Sequence, residues 1–279
     1  MSMSGSMARS TALGAGRARW FSANPDKAWV EKFFLLYSPV WMASMAMMMF
    51  TGWDKSWGDS ALLWHGALTA APVLLGPALL SSRFGTTTWV NSYWLKANLY
   101  LFVFGFFGNY FGSEYFFDVL GMVYIYPHAT TTLDAALVGK GGQTVPVIMY
   151  LYTHVYFMTY HATANIVLRR LRTSGLPAMG VLFPVFVFVI GYAWAFMETK
   201  AMANPMMASS FYYEKLDIML AYGSAIYATY FIASFPIYYF IDEDQNRRWS
   251  LTQVVAGGLS ASMLTFFMLD AAAHWVGTL

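Results

Sequence analysis

No cysteine occurs in the 279 residues, which removes disulfides, thiolate metal sites and cysteine nucleophiles from the chemistry open to this chain. Charge is scarce too. Asp, Glu, Lys and Arg make up 11% of residues, under half the ~25% of a soluble domain. There are five histidines, whereas a membrane di-iron oxygenase draws about eight from short H-x-x-H-H or H-x-x-x-H boxes, and no such box is present. No lysine follows Lys215, so the last apolar stretch cannot carry the Schiff base of a seven-helix retinal protein. The glycine-rich run Gly139-Lys140-Gly141-Gly142 lacks the Lys-Ser or Lys-Thr of a phosphate loop. A formal net charge of +2 is too small a basic excess for a nucleic-acid surface.

What the chain has in abundance is apolar and aromatic surface: 58% hydrophobic residues, a mean hydropathy of +0.47, 23 Phe, 19 Tyr and 11 Trp. A spanning helix needs ~20 mostly apolar residues to cross a ~30 Å hydrocarbon core. Stretches near 33–52, 61–80, 95–113, 146–168, 178–198, 217–241 and 252–275 meet that demand. The expected fold is therefore all-α, a polytopic membrane helix bundle of about seven spans. Runs such as Trp53-Asp54-Lys55-Ser56 and Asp242-Glu243-Asp244-Gln245-Asn246 read as connections, and the segment from Tyr126 to Val145 reads as a long outer loop.

Basic residues set the orientation, since Lys- and Arg-rich loops stay cytoplasmic. With the N-terminus inside, twelve fall on the inner side, from Arg9 to Arg248, and only Lys55, Lys140, Lys200 and Lys215 fall outside. Residues 1–24 carry Ser and Arg but no apolar core, so they read as a disordered cytosolic tail, with a transit peptide as the alternative. Residues 25–279 form one transmembrane domain on this reading. Membrane lipid is an expected partner; nucleic acid is not.

Ionisable groups inside hydrocarbon cost several kcal/mol, so each is a functional candidate. In the fourth span His154, His161 and Asn165 are separated by seven and four residues, and seven residues turn a helix through about 700°, back to nearly the same face. The three make one polar stripe, with His154 ~12 Å below the outer boundary. Interhelical hydrogen bonding is the preferred reading of Asn165, near Arg169-Arg170. The two histidines are ~10 Å apart along the axis, too far to share one metal ion. Acids gather at the outer half: Glu114, Glu198, Asp217 and Asp270, the last inside an apolar run with His274 one turn on. Burial favours the neutral, proton-donating form of such acids. Trp194, one turn before Glu198, either belongs to an interfacial aromatic belt or lines a pocket whose ring faces stabilise a cation.

Several stretches occur together in a characteristic order: Glu31-Lys32-Phe33-Phe34-Leu35-Leu36-Tyr37-Ser38-Pro39, Tyr93-Trp94-Leu95-Lys96-Ala97-Asn98-Leu99, Gly108-Asn109-Tyr110-Phe111, Thr153-His154-Val155-Tyr156, Tyr160-His161 leading to Asn165, Met197-Glu198-Thr199, and Tyr227-Ala228-Thr229-Tyr230-Phe231. From about Trp20 to Asp270 the chain resembles the cycloeucalenol cycloisomerase family. Its segments Pro127 to Val145 and Pro205 to Ser210 look longer than the family pattern. The resemblance implies a sterol-biosynthesis isomerase that takes a sterol substrate, uses no cofactor or metal, and opens a 9β,19-cyclopropane ring to give a Δ8 sterol. It sits in the endoplasmic reticulum of a eukaryote or the plasma membrane of a bacterium. A strained C–C bond is a very weak base, so the ring needs a well-placed acid out of water and a stabilised cation. On that basis Glu198 is the expected general acid with Asp270 second, His154 the base or relay, and Glu114 a further catalytic candidate. Asn109, Tyr110, His161, Asn165 and Trp194 are the expected substrate-binding set. A non-catalytic sterol carrier and a Δ8–Δ7 double-bond isomerase are the rival readings.

Overall fold

The computed structural model describes residues 18–81 and 88–276; the expected disordered tail lies largely outside the described residues. The chain is mostly helical. Helix α1 (Pro25–Phe50) starts where Pro25 presets the first turn and the Asn24 side chain accepts from the Asp26 amide at 3.1 Å. It begins earlier than the apolar run predicts, because a polar first turn is stable at the membrane boundary. A short turn, α2 (Trp53–Ser56), stands where a loop is expected, followed by α3 (Asp59–Leu79). Helices α4 (Tyr93–Phe107) and α5 (Ser113–Leu120) join through a π turn at Gly108–Gly112. The third apolar stretch thus runs past 113 and ends at Gly121, whose φ of 64° is the left-handed conformation that closes helices. Then come α6 (Ile148–Arg172), α7 (Met179–Met202), α8 (Leu216–Ile218) passing through a second π turn into α9 (Ser224–Phe240), and α10 (Leu251–Val276).

Among the described residues five helices are long and apolar enough to cross a bilayer: Pro25–Phe50, Asp59–Leu79, Met179–Met202, Leu216–Phe240 and Leu251–Val276. Their outer faces carry exposed large apolar side chains, including Leu36, Trp64, Leu68, Val181, Phe188 and Phe267. This is an integral membrane protein, since only lipid receives such faces without cost. Helix α6 is different. Fourteen of its 25 residues are buried, and it touches α1, α3, α4, α7 and α9, so it is the hub of the bundle.

The all-α expectation needs one amendment. Two three-residue strands, β1 (Met122–Tyr124) and β2 (Phe211–Tyr213), pair antiparallel with Met122 opposite Tyr213 and Tyr124 opposite Phe211. They tie the segment after α5 to the one after α7. Main-chain groups in loops need partners, and a ladder of aromatic residues provides them.

The far end of the bundle is clamped by charge. Arg169 donates to Glu31 at 2.6 and 2.9 Å and to Glu243 at 2.6 and 2.7 Å. Lys96 pairs with Asp242 at 2.6 Å, and Lys27 donates to the Tyr239 and Ile241 carbonyls and pairs with Glu243 at 3.1 Å. Part of the expected loose tail is held here: the Trp20 carbonyl accepts from Arg169, and the Trp20 ring lies 5.1 Å from the Arg170 guanidinium.

Candidate functional site

At the end of the bundle away from that charge cluster lies a cavity of about 410 Å³, within the ~300–1,000 Å³ range of small-molecule sites. Helices α1, α6, α7 and α9, the π turn at Gly108–Gly112 and both strands line it. Its wall carries eight methionines, including Met42, Met45, Met49 and Met149, and eight tyrosines. Thioethers mould to an irregular apolar ligand, and tyrosines add hydroxyls and ring faces. Tyr152, Tyr156 and Tyr160 enter from α6 at four-residue steps, one stripe of that helix.

Glu198 is the one carboxyl among the lining residues. It is half-buried because one side faces the cavity. Its Oε2 is enclosed with no hydrogen-bond partner among the described residues, and the Tyr160 and Tyr227 side chains are within hydrogen-bonding reach of the carboxyl. Trp194, a turn earlier on α7, also lines the cavity and packs on Tyr160 at 4.9 Å between ring centroids. Asn109 lines it too, held by its donation to the Gly105 carbonyl at 2.9 Å while its Oδ1 accepts from Thr153 at 3.1 Å.

The other candidates lie outside the lining. His154 is buried against Asn98, 2.8 Å from Nε2 to Oδ1. His161 bridges the Phe157 carbonyl at 2.7 Å and the Ser234 hydroxyl at 2.8 Å. Asn165 donates to Glu31 in the charged clamp at 3.1 Å. The polar stripe of α6 is thus divided among three helices. Asp270 is exposed on α10, accepting from the Tyr115 hydroxyl at 3.0 Å. Glu114 is buried near Asp118 and Asp134, and Tyr110 stacks on Phe106 at 5.6 Å. Glu198, Asn109 and Trp194 are the three that meet. The tyrosines of the wall were the set passed over; the spacing of Tyr152, Tyr156 and Tyr160 is visible in the sequence, but it reads equally as core.

A curated protein of Arabidopsis thaliana, cycloeucalenol cycloisomerase, is 35% identical to this chain over 259 residues, covering 90% of the chain and 87% of the relative. The chain belongs to the cycloeucalenol cycloisomerase family. It is accordingly an isomerase. No family model matches the chain, and no solved structure does.

Proposed function

We propose that this chain opens the 9β,19-cyclopropane ring of cycloeucalenol or a closely related 4-methyl sterol, giving obtusifoliol or its Δ8 counterpart, with Glu198 as the general acid. The observation that carries the reading is a lone carboxyl with an unpartnered oxygen at a cavity of methionines and tyrosines. A neutral carboxylic acid held out of water protonates the C19 methylene. The electrons of the C9–C19 bond form the new C–H bond, which leaves a cation at C9. Trp194, Tyr160 and Tyr227 line the same cavity as the carboxyl, and their rings favour that cation. Loss of the proton from C8 then forms the Δ8 double bond, so the reaction has no redox change. Asn109 and Thr153 offer the polar wall for orienting the sterol, and the methionine face receives its apolar body. His154 and Asp270 do not line the cavity and are given no catalytic role in this reading.

The topology that goes with this reading has seven crossings. Helix α6 and the composite of α4 and α5 join the five apolar helices, and the N-terminus is on the cytosolic side with Lys27, Lys96 and Arg169.

Membranes bearing the protein should convert cycloeucalenol to obtusifoliol, followed by mass-resolved sterol chromatography. The variant E198Q should lose at least about a hundredfold in turnover while binding the sterol. Bound but unchanged sterol in the parent protein would make it a carrier, and conversion restricted to Δ8 and Δ7 sterols would make it a double-bond isomerase.

A further inference from the structure

The cavity around Glu198 is walled on most sides by buried or half-buried residues. Among the described residues that line it, three are exposed: Met42 on α1, and Met197 and Ala201 on α7. Met42 is 41% and Met197 50% exposed. Both helices are of spanning length, and α7 is the least buried of the five, so the surroundings that these side chains meet are lipid. The other approaches are covered. The charged clamp fills the far end of the bundle, and the strand pair covers the near end, where Met122, Phe211 and Tyr213 line the cavity and are buried.

The three exposed residues flank one seam. Helix α6 packs on both α1 and α7, and its Tyr156 and Tyr160 line the cavity there. The Tyr156 ring meets Trp41 of α1 edge-on at 4.6 Å between centroids, and the Tyr160 ring meets Trp194 of α7 at 4.9 Å. Trp41 adjoins Met42 in sequence, and Trp194 stands one turn before Met197 and Glu198. Each side of the seam thus pairs a tryptophan braced on α6 with a methionine open to lipid. Met197 and Ala201 share a face of α7 at four-residue spacing. At 1.5 Å per residue, Met42 lies ~12 Å before the end of α1 and Met197 ~8 Å before the end of α7, inside the apolar span.

We infer that the sterol enters and leaves sideways, directly from the bilayer, through this seam between α1 and α7. A sterol dissolved in lipid keeps its ring system out of water throughout such a passage, whereas a route through an aqueous end of the bundle would expose it. Methionine side chains are unbranched and turn aside readily, so the mouth opens for an apolar ligand and closes behind it. Glu198 follows Met197 in the chain, so the acid stands just inside the mouth. This inference rests on the cavity being the sterol site of the proposed isomerisation.

The test uses the full-length protein in phosphatidylcholine vesicles containing radiolabelled cycloeucalenol, with uptake, release and product each followed in time. A201W sets an indole in the mouth and should slow uptake and release together by at least about tenfold. Occupancy at equilibrium should stay within about threefold of the parent, because an obstruction in a doorway changes both rates and leaves the bound state alone. L68W, on the lipid-facing side of α3 and outside the cavity lining, should take up sterol at the parental rate. Should A201W not fold, M42W carries the same expectation. Parental rates in the mouth variant, faster release without slower uptake, or equal slowing in L68W overturns the inference. A parent protein that takes up cycloeucalenol without converting it fails the isomerase reading and leaves the doorway standing; one that takes up none overturns the doorway.

Discussion

The imidazole of His154 meets the side-chain amide of Asn98 at 2.8 Å, joining α6 to α4 in the core and outside the cavity. A histidine in this position holds two helices together, and on the proposed reading it takes no part in the chemistry. The variant H154A should lower the unfolding midpoint in detergent, by the equivalent of about 1–3 kcal/mol for an orphaned buried amide. The rate per folded molecule should stay within about threefold, and a rate loss far beyond the stability loss would return His154 to the chemistry.

Arg169 serves two carboxylates at once, and its side chain is 0% exposed. Truncation in R169A leaves Glu31 without its cation and Glu243 with Lys27 alone, a change that costs about 3–5 kcal/mol when one member of a buried ion pair is removed. R169K should recover only part of this, because an ammonium cannot reproduce two forked contacts. Thermal unfolding of both variants in one detergent checks the order; equal midpoints would contradict it.

Glu243, in the connection between α9 and α10, has its carboxyl held below the ordinary value. Burial works to raise it, but the hydrogen bonds from Arg169 and the charge of Lys27 outweigh that. A group whose folded-state pKa is depressed adds stability above its unfolded value of about 4.3, and that stability is lost as pH falls through the folded pKa. The unfolding midpoint should therefore be flat near neutrality and drop on acidification below about pH 4.3. E243Q should start lower at neutral pH and show a shallower acid limb. Parallel profiles for the two proteins would rule this linkage out.

Gly112 closes the π turn against Tyr230. A Cβ at this position would sit 1.7 Å from the Tyr230 hydroxyl oxygen, which donates to the Gly108 carbonyl at 3.1 Å. Since Tyr230 lines the cavity, G112A should displace it, costing about 1–3 kcal/mol for overpacking and reducing turnover together with stability. Parent-like turnover and midpoint would show that the turn can yield.

Much of the architecture could be read directly from the residues. Apolar runs of spanning length and the scarcity of charge determine a membrane helix bundle, because hydrocarbon accepts only backbone satisfied within the segment. The basic residues placed inside, Lys27, Lys96 and Arg169 among them, do gather at one end of the bundle. Glu198 stood out as an acid within an apolar span. What periodicity cannot supply is the identity of the neighbour. It put His154, His161 and Asn165 on one face of α6, yet Asn98, Ser234 and Glu31 each come from a different helix to meet them. Tyr152 lies two residues from His154, ~200° around the axis, so the cavity opens on nearly the opposite side. Asp54 read as loop punctuation, since nothing local shows that its carboxyl is buried. Spacing along a helix determines which residues share a face; only packing decides whether that face meets a partner helix, lipid or an enclosed cavity, because burial is a property of distant segments brought together.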